Sequence, residues 1–321
     1  MVKKEKKSTQ KPKVLITGAN GGLARATIER LASEYELVGV DPRPLRKGIQ
    51  FPGEFHQVNY TQRKMADLFR QHQFYALIHL GRVPVTANAR RSWRYNVNVL
   101  GTRNLLDLSS KFGVKNVIVF STFHVYGAHQ HNHLQINEED PLRASQIFSE
   151  LSDAVELDNA SAMFLLKHPE IRTLILRPVN VIGPSINNQI CQLLRLKACP
   201  VLLGYDPMQQ FIHEKDIANA LALALKSDKS GIYNIAGEGG VPWSHAVRLA
   251  GAIELPVPHF LAYPVLAVSS RLGGKFPMHL LDYFRYPVII SDDAFRKDMG
   301  FEPEISTVNA LKSIRSENGP F

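Results

Sequence analysis

Short apolar runs alternate with amphipathic stretches through the first two thirds of the chain. Residues 14–17, 37–40, 76–80, 117–120 and 172–176 are apolar with little polar alternation, the pattern of strands covered on both faces. A shorter run at 55–58 fits one more strand. Between them, residues 23–34, 63–71, 93–112, 144–166 and 217–225 carry helical spacing, with Leu23, Ile28 and Leu31 on one side of the first. Strand and helix alternating at this spacing predict an α/β protein built on a doubly wound parallel sheet.

From about Pro184 the pattern loosens. Pro200, Pro207, Pro242, Pro256, Pro258, Pro264, Pro277 and Pro287 cut the remainder into short helices and loops. The expected organisation is a basic disordered tail over 1–12 and a first domain over 13–184 that 211–236 rejoins. A smaller C-terminal lobe then comes from 185–210 and 237–321. No internal repeat is visible.

Composition narrows the function without naming it. With 321 residues, 45% of them hydrophobic, the chain can bury a large core. No apolar run is long enough for a transmembrane helix and no signal peptide stands at the start, so a cytoplasmic protein is expected. The formal charge is +9, but Lys3, Lys4, Lys6, Lys7, Lys11 and Lys13, less Glu5, supply five of the nine. Such a tail is a solubilising arm or, less commonly, an anion-surface contact. Nothing resembles a nucleic-acid motif. Cys191 and Cys199 fit neither a disulfide framework nor a zinc spacing.

The chemistry-bearing stretch lies near the start. Val14-Leu15-Ile16-Thr17-Gly18-Ala19-Asn20-Gly21-Gly22-Leu23-Ala24 runs from a strand through glycines into a helix, and the next strand ends on Asp41. Gly18 permits the tight turn, and Gly21 lets backbone approach a pyrophosphate at the helix N-terminus, where free N–H groups favour an anion. Ala24 takes the third, packing position. Strand, glycines, helix and acid in this order form a Rossmann-type dinucleotide fingerprint. Asp41 would accept hydrogen bonds from the adenosine ribose and repel a 2′-phosphate, favouring NAD over NADP. Arg43 lies close enough to soften that preference, and a strand-end turn with Pro42 is the structural alternative.

These motifs, in order, resemble the extended short-chain dehydrogenases/reductases of the NAD-dependent epimerase/dehydratase family, which act largely on nucleotide sugars. The resemblance rests on the glycine turn and on Ile78-His79-Leu80-Gly81-Arg82. Asn98-Val99-Leu100-Gly101-Thr102, Val125-Tyr126-Gly127, 176–184 (LRPVNVIGP) and 211–216 (FIHEKD) carry it further. It implies cofactor contacts from Gly18, Asn20, Gly21, Gly22, Leu23 and Asp41. Asn59, in place of a usual aspartate, and Tyr60 would lie near the adenine. Leu80, Gly81 and Arg82 would lie under the pyrophosphate and nicotinamide ribose, followed by Asn98, Pro178 and Asn180. It also implies a substrate-binding C-terminal lobe and a homodimer through helices 93–112 and 144–166.

The family's reaction uses a Ser or Thr that orients the substrate, a Tyr acid/base, and a Lys four residues on that lowers the Tyr pKa and binds the ribose. Thr122 matches the first. Phe148 and Ser152 stand in the other two positions, and neither can move the proton or supply the charge. The expectation is therefore an NAD-binding protein without ordinary Tyr–Lys redox chemistry. The alternative is a working epimerase, dehydratase or reductase whose acid/base comes from elsewhere, with His124 and His213 the first candidates. Tyr60 and Lys64 have the Tyr-x-x-x-Lys spacing, but on the adenine side, away from any hydride. His124, His129, His131 and His133 crowd one loop, where a solvated loop is the bland reading and a metal the sharper one. No metal site is assigned. Tyr126 reads as structural, His213 and Asp216 as helix caps, and the apolar stretch 260–272 as packing, a lid or a membrane contact.

Overall fold

The computed structural model describes residues 11–45, 50–84, 90–262, 264 and 278–316. The basic residues 1–10 and most of the 260–272 stretch lie outside these, so both of those expectations stay with the sequence.

Seven parallel strands form the central sheet. In chain order they are β1 (Lys13–Thr17), β2 (Glu36–Asp41), β3 (Gly53–Gln57), β4 (Ala76–His79), β5 (Asn116–Phe120), β6 (Arg172–Pro178) and a returning strand, Gly231–Ile235. In space the order is Gly231–Ile235, β6, β5, β4, β1, β2, β3. The order reverses between β4 and β1, which opens a crevice at the carboxyl ends of those strands.

Alternation within each strand explains the two cores. Val14 and Ile16 of β1 point into one apolar cluster with Ile28 and Leu31 of α1 (Gly22–Leu31). Leu15 points the other way, into a second cluster with Met65, Leu68 and Phe69 of α2 (Arg63–Gln71). Both faces are therefore dry, as the unalternating runs require.

Two helices differ from the sequence expectation. The helix expected over 93–112 contains a π turn at Asn96–Leu100 between α3 (Arg91–Tyr95) and α4 (Gly101–Lys111). The wider turn carries Asn98, whose side chain donates to Val83 O at 2.9 Å and accepts from Val83 N–H at 2.8 Å. The helix expected over 144–166 breaks. α5 (Ala144–Ile147) ends at Phe148, which is extended (φ −132°, ψ 110°), and a 3₁₀ turn at Ser149–Leu151 precedes α6 (Ser152–Lys167). The carbonyls freed by the break are taken up by α3: Arg91 donates to Ser149 O at 2.8 Å and Arg94 to Glu150 O at 2.8 Å. Arg94 also pairs with buried Asp153 at 3.1 Å.

The chain from 180 on builds smaller units. β7 (Asn180–Ile182), β8 (Ala198–Leu203) and β9 (Met208–His213) follow the sheet. β9 pairs with β7 and with Gly240–Pro242, while β8 pairs with Ile253–Pro258. Residues 180–182 and 208–213 thus belong to a separate three-stranded sheet, and helix Glu214–Lys226 leads into the strand Gly231–Ile235 of the main sheet.

Candidate functional site

The crevice at the strand reversal is a cavity of about 390 Å³. Its glycine floor is sterically required. Gly18 has φ +69°, and a Cβ there would lie 2.7 Å from Gly81 Cα. A Cβ on Gly22 would lie 2.0 Å from Ser185 O. Gly21, Gly22 and Leu23 line the cavity at the start of α1, whose first turn holds no acidic residue. An open helix N-terminus over bare backbone suits a pyrophosphate.

Asp41 closes β2 almost fully buried. Its carboxylate accepts from Asn20 N–H at 3.1 Å and from Arg43 through the backbone N–H and Nε, both at 2.9 Å. Arg43 Nη2 donates to the second oxygen at 3.0 Å. Arg43 is itself mostly exposed, so its guanidinium can leave at little cost.

The adenine-side expectation is altered. Asn59 Oδ1 accepts from Thr61 N–H and Thr61 Oγ1, each at 3.1 Å, so its side chain closes a local turn. Tyr60 is buried, and its hydroxyl sits where a Gly81 Cβ would come within 2.9 Å. Burial raises its pKa. Tyr60 is thus the floor beneath the Leu80–Arg82 turn. Asn98 holds the backbone of Val83, just after that turn, and does not line the cavity. Neither side chain lines the crevice among the described residues.

His79 anchors that turn from within the sheet. Thr102 Oγ1 donates to Asn98 O at 2.5 Å, so it accepts from His79 Nε2–H at 2.9 Å. Thr17 Oγ1 then donates to Nδ1 at 2.6 Å. The ring is neutral, its pKa pushed down to about 4 by burial.

The far end of the cavity holds Thr122, His124, Pro178, Asn180, Arg82 and Tyr283. Thr122 Oγ1 is 2.8 Å from His124 Nδ1. Tyr283 donates to His124 O at 2.8 Å, and its ring lies 4.8 Å from the His124 ring. Burial holds its pKa well above the ordinary tyrosine value. Arg82 is the only Arg, Lys, Asp or Glu lining the cavity among the described residues. Burial lowers its pKa while Asp153 opposes the shift. The Asp153 charge is already engaged: one oxygen accepts from Arg94 at 3.1 Å and Asn98 at 2.5 Å.

The break in 144–166 decides what faces this end. Leu151 lines the cavity, whereas Phe148 and Ser152 do not. Ser152 Oγ donates to Ser149 O at 2.8 Å and accepts from Arg91 at 3.2 Å. His213 is not brought here either. Its Nδ1 accepts from Lys215 N–H at 3.2 Å as the cap of the 214–226 helix, and burial lowers its pKa to about 4. Asp216 accepts from Glu304 and Ile305 N–H instead of capping. Tyr126 is structural: it donates to Asn234 at 2.8 Å and accepts from Arg177 at 2.9 Å.

The sequence places Arg82 in the turn under the pyrophosphate and nicotinamide ribose without a role for its side chain, and it does not single out Leu151. A cation directly after Leu80-Gly81 at a strand end was the available signal for Arg82. The aromatic residues Trp243, Tyr283, Phe284 and Tyr286 read from the sequence equally as pocket lining or as core, and of these Tyr283 and Phe284 line the cavity.

Comparison with known proteins agrees with this geometry. The sequence profile of the NAD dependent epimerase/dehydratase family matches residues 14–236. A UDP-glucuronate 4-epimerase of Thermodesulfobacterium geofontis is 33% identical over 93% of this chain and 93% of its own. An uncharacterised protein of Mycobacterium tuberculosis is 28% identical over 94% of this chain and 83% of its own. Among solved structures, a UDP-glucose 4-epimerase of Stenotrophomonas maltophila with bound NAD superposes with a TM-score of 0.77. It covers 94% of this chain and 96% of its own at 16% identity.

Proposed function

Because the chain belongs to the NAD-dependent epimerase/dehydratase family, we propose that it binds NAD and a nucleotide sugar without the family's Tyr–Lys hydride chemistry. The observation that supports this is the cavity lining: among the described residues it holds no lysine, and of residues 144–166 only Leu151 reaches it. Gly21, Gly22 and Leu23 would receive the pyrophosphate, Asp41 the adenosine ribose, and the Leu80–Arg82 turn with Pro178 and Asn180 the nicotinamide end. NAD, when bound, supplies a hydride acceptor. The chain's own groups at that end offer hydrogen bonds and one fixed cation. UDP-sugars are named for several of the curated relatives, and the smaller C-terminal units are the expected sugar-binding part.

A second reading is favoured by one observation: Thr122, His124, Tyr283 and Arg82 meet at the same end of the cavity. An active epimerase or reductase would draw its acid/base from this set. Titration calorimetry with NAD and NADH, followed by turnover assays across UDP-sugars, separates the two. Tight cofactor binding with no product supports the first reading. Turnover abolished by His124→Gln or Tyr283→Phe overturns it in favour of the second.

The reading includes a homodimer through the helical segments 93–112 and 144–166. Exposed Trp93 and Leu100 and exposed Met163 and Leu166 support such an interface. A cytoplasmic location accords with the free, buried Cys191 and Cys199.

A further inference from the structure

The histidines that the sequence singled out do not form a metal site among the described residues, but another group does come together. Glu54 and His56 stand two apart on edge strand β3, so their side chains share a face. His72 follows α2, whose last turn it caps by donating its backbone N–H to Leu68 O at 3.0 Å. Three ligand atoms from these residues lie within 4.8 Å of one another.

The spacing suits a metal better than a hydrogen bond. Glu54 Oε2 is 3.4 Å from His56 Nε2 and 3.4 Å from His72 Nε2. Metal–ligand bonds of about 2.0–2.1 Å place two ligands of a tetrahedral ion roughly 3.4 Å apart. His56 Nε2 is buried and has no hydrogen-bond partner. A buried imidazole nitrogen left so is costly, and a cation bridging it to Glu54 removes the cost.

We propose that Glu54, His56 and His72 bind a borderline divalent transition-metal ion, with Zn²⁺ as the type. Two imidazoles and one carboxylate form a donor set for such an ion, and a fourth position stays open to water. The site is separate from the cavity. Glu54 pairs with Val38, three positions before the Asp41–Gln57 pair, or about 10 Å along the sheet edge. A metal here staples the outermost strand to the end of α2.

One residue opposes the ion. Lys13 Nζ donates to His72 Nδ1 at 3.1 Å and pairs with Glu36 at 2.9 Å. Its bond to Nδ1 leaves the ring proton on Nε2, the nitrogen a metal needs. Binding requires the proton to move to Nδ1 and Lys13 to turn wholly to Glu36. Lys13→Met removes that competition.

The test uses the full chain without an affinity tag, titrated calorimetrically with zinc chloride alone. One saturable site is expected. His56→Ala and Glu54→Gln should each weaken it by at least about tenfold, the size of losing even an outer-sphere partner. Lys13→Met should tighten it, and the triple variant His129→Ala, His131→Ala, His133→Ala should leave it unchanged. NAD affinity, measured in parallel, shows that each variant is folded. No saturable zinc binding by the wild-type chain, or binding indifferent to both His56→Ala and Glu54→Gln, overturns the proposal. So does loss of binding in the loop triple variant.

Discussion

Asp41→Asn should convert the cofactor preference. The wild-type carboxylate is buried, and each of its oxygens accepts from Arg43. Hydrogen bonds from ribose hydroxyls to a charged acceptor contribute about 1.5–3 kcal/mol each, against about 0.5–1.5 for a neutral one. Losing the charge across the 2′- and 3′-hydroxyls therefore costs about 2–3 kcal/mol, or roughly 30- to 150-fold in NAD affinity. For NADP the sign reverses. Like charges about 4 Å apart at an effective dielectric near 20 repel by about 4 kcal/mol, and the substitution removes that repulsion. It also releases Arg43, now tied to both carboxylate oxygens at 2.9 and 3.0 Å, to pair with the phosphate. NADP should gain at least about tenfold, each 1.4 kcal/mol being a decade. Calorimetric titration of wild type and variant with both dinucleotides measures the two affinities. Arg43→Ala is the companion: it uncovers Asp41, so NAD should bind at least as well and NADP no better. If Asp41→Asn leaves NAD affinity unchanged and brings no gain for NADP, the carboxylate does not face the ribose.

Two further outcomes follow from buried polar groups. Arg177 grips Asp158 through bonds of 3.0 and 2.7 Å while Ser121 donates to the same carboxylate at 2.6 Å, so Arg177→Met strands a buried charge and should cost about 3–5 kcal/mol in urea unfolding. A loss below about 1 kcal/mol would mean that water reaches the pair. His79 is neutral when folded, at a pKa of about 4 against 6.5 when exposed, so the unfolded chain takes up the proton first. Its stabilisation is complete above pH 6.5 and declines as pH falls toward 4, by about 2 kcal/mol between pH 7 and pH 5. His79→Asn should flatten the pH dependence by that share, leaving the part due to His213, and an unchanged slope would contradict the burial argument.

How much of this was legible in the sequence depends on which interactions decide each feature. Strands such as 14–17 and 117–120 declare themselves because both faces are dry and nearly every residue is apolar. The glycine turn is legible because only a residue without Cβ fits against Gly81 or Ser185. The break at Phe148 was not. It depends on Arg91 and Arg94, more than fifty positions earlier, donating to carbonyls that an unbroken helix would keep. The π turn likewise follows from a contact between Asn98 and Val83 that no local periodicity encodes. The metal-ligand group escaped for the same reason. His72 and the Glu54–His56 pair are separated by α2, while the crowded loop histidines drew attention by sequence proximity alone.

The electrostatics of the cavity bear on binding versus catalysis more directly than the missing residues do. In the family's pair, lysine lowers the tyrosine pKa until the hydroxyl can exchange a proton near neutrality. Here a cation, Arg82, and a hydroxyl, Tyr283, again share one cavity, and Arg82 pulls the Tyr283 pKa downward. Burial is the larger effect, however, and it leaves Tyr283 well above the ordinary tyrosine value. Its proton is already committed to His124 O. A guanidinium, for its part, does not release a proton in proteins. Arg82 and Tyr283 can therefore orient an anionic or carbonyl-bearing ligand, but neither is tuned to take up a proton at neutral pH. His124, bonded to Thr122 within the same wall, is the one group there whose ordinary pKa spans that range. Proton transfer at this site, if measured, should accordingly fail in His124→Gln while NAD binding persists.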